Sequence, residues 1–252
     1  MRLKTNDENF VHYLENKDEF NVFFSKFIGR DWLLLGNAEK SANFDDFRLF
    51  CEKHKSFIVK PIDSMKGQGI YILEKIKDLD RTYSNLCSNN CIIEEIIVQD
   101  KLMCFGNNSV NTIRVYTVVN SQGKANILKC VLRAGVGNSI VDNYAAGGCV
   151  YQVDNDLGIV VSRGISKDND NHIIHPGTEI IMLGYRIPQW TSVKNLCIEA
   201  AEQLPQVRYI GWDVAITDKG CILIEGNHDP DYEFLEFVGD RGYKSKIISL
   251  LK

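Results

Sequence analysis

Residues 209–227 constrain the fold more than any other stretch of this 252-residue chain. Two apolar runs, 209–217 and 221–227, flank Asp218, Lys219 and Gly220, a three-residue loop whose glycine suits the left-handed third position of a tight hairpin. Strands joined so closely pair antiparallel. With Thr217 opposite Cys221, the register puts Asp213 directly across from Glu225, and side-chain alternation brings Asn227 to the same face. Like charges opposed on a sheet repel, and these sit among Trp212, Val214, Ile224 and Gly226 rather than in a polar run. A cation between them removes the conflict. Two carboxylates and an amide are hard oxygen donors suited to Mg2+ or Mn2+, and an exposed acidic edge is the other explanation of the pair.

The remaining pattern gives the class. Residues 7–56 read as helical, with Phe10, Tyr13 and Leu14, then Phe20, Phe23, Phe24 and Phe27, recurring at three- and four-residue steps, and with Asn43 opening a further helix before Phe47, Leu49 and Phe50. Short β-rich runs follow at 57–61, 70–73, 91–98, 112–119, 126–133 and 148–153, several divided by Gly, Asn, Asp or Ser turns. One helix, 193–203, intervenes before the last hairpin and is ended by Pro205. The expectation is an α+β protein with antiparallel sheets and a helical start, without the βαβ alternation of a dinucleotide-binding fold.

Composition excludes several partners. Hydrophobic residues make up 44% and charged residues 25%, as in a globular protein of one large domain or two small ones. Twenty-nine basic against 33 acidic side chains leave a net charge of −4, which offers no footprint for nucleic acid or an anionic membrane. No apolar run approaches the ~20 residues of a membrane helix, so a cytoplasmic protein without membrane insertion is expected. The eight cysteines lie mostly in apolar segments and read as small hydrophobes; Cys87 and Cys91 are close but lack a second pair for zinc.

Two further regions have the chemistry of a phosphate site. The 57–61 strand ends in Lys60 and Pro61 and leads through Ser64, Lys66, Gly67 and Gly69 into another strand, so glycines let backbone N–H groups curl over phosphates above a lysine. Neither a Walker loop nor a dinucleotide fingerprint is present, and a ligand-free turn is the alternative. Arg114 and Arg133 each stand inside a strand and need an anion, either a phosphate or a protein carboxylate, and Asn143 ahead of Gly147 and Gly148 is placed to approach the same ligand. Between these regions, Glu94 and Glu95 interrupt an apolar strand that can present its backbone to an adenine edge, with a following polar side chain on the ribose; an ordinary amphipathic strand is the other reading.

In this order the parts resemble the ATP-grasp superfamily and, in closer texture, the sugar-transfer-associated ATP-grasp family. The likeness is carried by Val59, Lys60 and Pro61 with Lys66, Gly67, Gln68, Gly69 and Ile70; by Ser109, Asn111 and Arg114; by Asp142 and Asn143 with Gly147 and Gly148; by His175 and Pro176; and by Gly211, Trp212 and Asp213 with Glu225, Gly226 and Asn227. It spans roughly residues 57–230. The resemblance implies that Asp213, Glu225 and Asn227 hold Mg2+, that Lys60 and Lys17 bind ATP phosphates, and that Ser64, Lys66, Gly67 and Gly69 belong to a loop closing over them. A lysine on an exposed helix is the other reading of Lys17. Glu94, Glu95 and Ile97 would form the adenine hinge, with Gln99 beyond it; Arg114, Arg133 and Asn143 would face the γ-phosphate and acceptor; His175 and His228 would line the acceptor pocket, a structural turn histidine being the alternative for His175.

The implied organisation is a helical segment 1–56, a lid subdomain 57–100 and a C-terminal grasp subdomain 101–252. Only 16 residues precede Lys17, where many superfamily members carry a complete domain, so the acceptor site is expected to be small, remodelled, or completed by a second copy or another chain. The implied activity is an ATP- and Mg2+-dependent carboxylate–amine ligase working through an acyl phosphate, with a uronic-acid sugar of a surface polysaccharide as a candidate acceptor. A kinase using the same site is the alternative. The third reading, a nucleotide-binding module without catalysis, is opposed by the complete set of Asp213, Glu225 and Asn227.

Overall fold

The computed structural model describes residues 5–64, 68–106, 109–137, 147–167, 171–230, 235 and 242–252. Three short helices come first: α1 (His12–Glu15), α2 (Lys17–Phe23) and α3 (Ser25–Ile28). Helices this short do not persist alone. Their aromatic rings hold them in place, since Phe20, Phe24 and Phe27 are buried and Phe24 meets Trp212 edge-on with centroids 5.3 Å apart. Gly29, left-handed at φ 53°, ends α3 and lets the chain turn at Arg30 into β1 (Trp32–Leu35). Helix α4 (Phe44–Lys53) starts at Asn43 through a capping box with Asp46.

The next elements are β2 (Ser56–Pro61), β3 (Tyr71–Glu74), α5 (Leu79–Ser88) and β4 (Cys91–Glu95). Together with β1 the strands form an antiparallel sheet in the order β1-β4-β2-β3. Phe57 and Val59 face Phe47, Phe50 and Leu86 of the two helices, which leaves Ile58, Lys60 and Glu94 on the opposite face. Here the structure departs from a purely helical segment 1–56, because residues 32–53 supply β1 and α4 to this sheet. A four-residue apolar run has no period by which to tell a strand from a buried helix; its pairing with β4 decides it.

A second antiparallel sheet contains β5 (Thr112–Val119), β6 (Ala125–Ala134), β7 (Cys149–Val153), β8 (Gly164–Ile165), β9 (Asn171–His172), β10 (Tyr209–Thr217) and β11 (Gly220–Asn227), in the order β11-β10-β5-β6-β7-β8-β9. Helix α6 (Trp190–Gln203) packs on the face of Ile113, Val115, Ile210 and Val214. The other face is divided. Tyr116, Val118, Val131 and Tyr209 bury it at one end beneath Tyr243 and Ile247 of α7 (Tyr243–Leu250), and Arg114, Arg133, Asp213 and Glu225 occupy the other end. The mixed α+β class with antiparallel sheets is as expected. All eight cysteines are free, and no helix among the described residues is long and apolar enough to cross a membrane.

Candidate active site

Asp213 does face Glu225, by a different route from the one the loop implies. Thr217 pairs with Gly220, not Cys221, so only Asp218 and Lys219 lie outside the ladder and the pairing near the turn is shifted by one residue. The Thr217 hydroxyl stabilises this tighter turn by donating to the Gly220 carbonyl at 2.8 Å and accepting from the Lys219 N–H at 3.1 Å. A β-bulge then restores the count: Val214 pairs with Leu223, Ile224 is the extra residue, and Asp213 pairs with Glu225. Asn227 shares their face and donates from Nδ2 to Glu225 Oε1 at 3.2 Å.

Both strand arginines, Arg114 buried and Arg133 partly so, find their anion in Asp213. Arg114, its cross-strand partner on β5, donates from Nε to Oδ1 and from Nη2 to Oδ2 at 2.9 Å, and Arg133 on β6 donates from Nη1 to Oδ2 at 2.6 Å. Burial would raise the Asp213 carboxyl, but these two guanidinium groups hold it well below the usual carboxylate range. Glu225 moves the other way. The low-dielectric surroundings and the Asp213 charge opposite push its carboxyl up, although its side chain opens to solvent. The site thus separates one firmly ionised carboxylate from one that yields its charge readily.

From the other sheet, Lys60 donates to Glu94 Oε2 at 2.5 Å. Glu94 is 4% exposed and also accepts from Asn21 Nδ2 at 3.1 Å and from Arg30. Desolvation opposes its charge, yet Lys60 and Arg30 keep it strongly acidic. The Glu94 side chain is therefore enclosed among protein partners, and the adenine hinge expected of this segment concerns its backbone. Lys17, the first residue of α2, donates to the carbonyls of Ile62 at 2.7 Å and Ser64 at 2.6 Å, which ties the helix to the entry of the glycine loop. Burial and the neighbouring Lys60 lower its pKa, and Glu225, Asp63 and Glu94 partly offset that shift. Charges distant in sequence, at 17, 60, 94 and 225, thus act on one locality. Arg30 and Asn21 were not foreseen: neither lies in a motif, and only the packing of α2 and the α3–β1 turn against β4 reveals them.

Residues 96–98 leave the first sheet at Glu95 and reach the second where Gln99 bridges to Thr217, so Ile97 lies on the crossing. The Gln99 amide is engaged with Asn111, accepting its N–H at 2.9 Å and donating to its carbonyl at 2.5 Å. Buried Asn111 extends this brace to the Met103 carbonyl at 2.7 Å and the Gly135 N–H at 2.9 Å, the latter just beyond Arg133. Glu95 turns to the helical side, accepts the Asp31 N–H at 3.1 Å and lines a cleft of about 630 Å3 with Asp31, Trp32, Phe50 and Lys53. Lys53 and His54 both contact Asp31, making this an ion-pair network.

His175 is 1% exposed, lies tilted against the Phe105 ring with centroids 5.4 Å apart and shares a 3.0 Å hydrogen bond from Nε2 with the Gly135 carbonyl. That interior hydrogen bond anchors the end of β6, the structural role given above as the alternative for His175. His228 pairs with Glu15 at 2.9 Å at the exit of β11. Ser64 donates to the Pro61 carbonyl at 2.9 Å, and Gly69 is left-handed at φ 71°. Lys66, Gly67 and Asn143 lie outside the described residues.

Two sheets, one presenting Lys60 and the other paired carboxylates with arginines, with Lys17 on a helix beside them, define the ATP-grasp class. The chain belongs to the sugar-transfer-associated ATP-grasp family, which it matches over residues 1–250. Among solved structures it is similar to the ATP-grasp ligase PsnB complexed with precursor peptide PsnA2 and AMPPNP, at TM-score 0.57 and 14% identity, covering 98% of this chain and 61% of that one. It is also similar to the D-alanine-D-alanine ligase of Coxiella burnetii, at TM-score 0.56 and 10% identity over 97% and 59% of the two chains. A third is the ADP complex of purK, N5-carboxyaminoimidazole ribonucleotide synthetase, at 0.53 and 13% over 88% and 46%. At these identities the likeness is one of fold, and the chain spans between 46% and 61% of the length of these three structures. A search of curated proteins finds no match.

Proposed function

We propose that the protein is an ATP- and Mg2+-dependent carboxylate–amine ligase. The observation that carries this reading is the convergence of Arg114 and Arg133 on Asp213, directly beside Glu225 and within reach of the field of Lys17 and Lys60. The donor set fits a hard divalent cation: Asp213, Glu225 and Asn227 share one face, and the raised Glu225 carboxyl marks a repulsion that a cation relieves. Bound there, Mg2+ supplies charge stabilisation to a phosphoryl group in transfer.

The chain's own groups do the rest. Lys60 and Lys17 hold the phosphates, and residues 57–100, which supply most of the four-stranded sheet, act as the lid that keeps water away. Arg114 and Arg133 neutralise an acceptor carboxylate that the triphosphate would otherwise repel. A carboxylate oxygen attacks the γ-phosphorus and ADP leaves; an amine then displaces phosphate from the acyl carbon and loses a proton. The family resemblance assigns Asn143 to the acceptor end as well, and His228 lies at its rim in this reading. A sugar-transfer association of the family supports a uronic acid as acceptor. The peptide bound by PsnB supports testing an acidic peptide beside it.

The test is ADP release with Mg2+ and a panel of uronic acids and acidic peptides, with hydroxylamine in place of the amine. ADP formation that requires the carboxylate, together with a hydroxamate, is expected. A stable phosphorylated alcohol or amide without hydroxamate would replace the ligase by a kinase.

A further inference from the structure

We propose that Arg30 is a positioning residue that holds the phosphate lysine and the carboxylate hairpin in fixed relation across the junction of the two sheets; this rests on the function proposed above. A guanidinium has five N–H donors, and here all five are used. Nε donates to Glu94 Oε2 at 2.9 Å and Nη2 to Glu94 Oε1 at 3.2 Å, a bidentate pair with the residue that also binds Lys60. Nη1 donates to the carbonyls of Leu223 at 2.6 Å and Ile28 at 3.2 Å, and Nη2 donates to the carbonyl of Ile224 at 3.3 Å.

Leu223 and Ile224 are the residues of the β11 bulge that returns Glu225 to register with Asp213. One side chain therefore grips the carboxylate that sets Lys60 and the backbone irregularity that sets Glu225. Burial makes the grip firm: the Arg30 and Glu94 side chains are 2% and 5% exposed, so water does not compete for these bonds. The planar fork is also specific. Lysine in its place would keep the charge but offer three donors from one point, too few to serve the carboxylate and three carbonyls together.

The experiment compares Arg30→Lys and the double variant Arg30→Ala/Glu94→Gln with the wild type, using ADP and MgCl2 as probes. Melting temperature, ADP affinity and the Mg2+ concentration for half-maximal ADP binding are measured, the last two by calorimetry at low temperature. Arg30→Lys should fold and raise the Mg2+ half-saturation point about tenfold, the scale for disturbing a group that orients a metal ligand. Weaker ADP binding should accompany it, because Lys60 loses its fixed partner. In the double variant, removal of the buried Glu94 charge should recover melting temperature while the Mg2+ requirement stays raised. A lower melting temperature in the variants with unchanged Mg2+ half-saturation and ADP affinity would make Arg30 a structural ion pair and overturn the proposal. Absence of Mg2+-dependent ADP binding in the wild type would instead remove the functional reading, and this inference with it.

Discussion

At the scale of single residues, burial pushes both hairpin carboxyls up, and they shift in opposite directions because Arg114 and Arg133 pair with Asp213 while Glu225 faces the Asp213 charge. Glu225→Gln removes the repulsion, so the ligand-free variant should gain roughly 0.2–1 kcal/mol in urea melts at pH 7 while turnover is lost. The pH dependence of stability checks the origin of the gain. Because the folded carboxyl of Glu225 lies above its ordinary 4.5, its contribution is fully present below 4.5 and lost as pH rises through the folded value. Wild-type stability should therefore contain an increment on acidification that the glutamine variant lacks. Asp213 and Glu94 act with the other sign, their contributions disappearing below the ordinary carboxylate range in both proteins. Lys60→Ala should lower kcat/KM by about 2 to 4 kcal/mol of transition-state stabilisation. The fold should survive, since Arg30 and Asn21 still satisfy Glu94; unchanged ATP affinity and rate would remove the lysine from the site.

At the scale of elements, the decisive piece is the hairpin, and its register shows how far local reading goes. The opposed pair was legible because alternation along 209–217 and 221–227 places both acids on one face. The turn was misread by one residue, and Ile224 absorbs the difference as a bulge. Nothing in the local sequence marks Ile224 for this, because the stabilising donor, Arg30, is nearly 200 residues away. The strand beside it has equally little room. A Cβ on Gly211 would stand 2.7 Å from Pro230 Cβ and 3.1 Å from Arg114 Cδ. Gly211→Ala should therefore drive Arg114 off Asp213 and cost about 1–3 kcal/mol, the scale of overpacking. Denaturant melts should show that loss, with an activity defect exceeding what the unfolded fraction explains; wild-type behaviour would show that Pro230 can yield.

At the scale of the whole molecule, the site exists only where the two sheets meet. Lys60 acts from the first, Asp213 and Glu225 from the second, Lys17 from helix α2 beside them, and the chain crosses between the sheets at 96–98. A ligand that touches both should stabilise both together. ADP with MgCl2 at 100 times the dissociation constant should add about 2.7 kcal/mol to unfolding, and either component alone should add far less. Thermal melts with ADP, MgCl2, and both distinguish this from a nucleotide held by one sheet, for which MgCl2 adds nothing to the ADP shift.

By itself the sequence determined the antiparallel class, the pairing of Asp213 with Glu225 and the need of Arg114 and Arg133 for an anion. Each is a local consequence of alternation, turn chemistry or the cost of burying charge. Only the tertiary structure decided that this anion is Asp213, and that β1 belongs to the first sheet. It also gave Gln99, Asn111 and His175 to the bracing of the strand ends. These are contacts between residues 12 to 99 positions apart. An ion-pair partner is chosen by distance and desolvation in the packed protein, and neither is encoded in spacing along the chain.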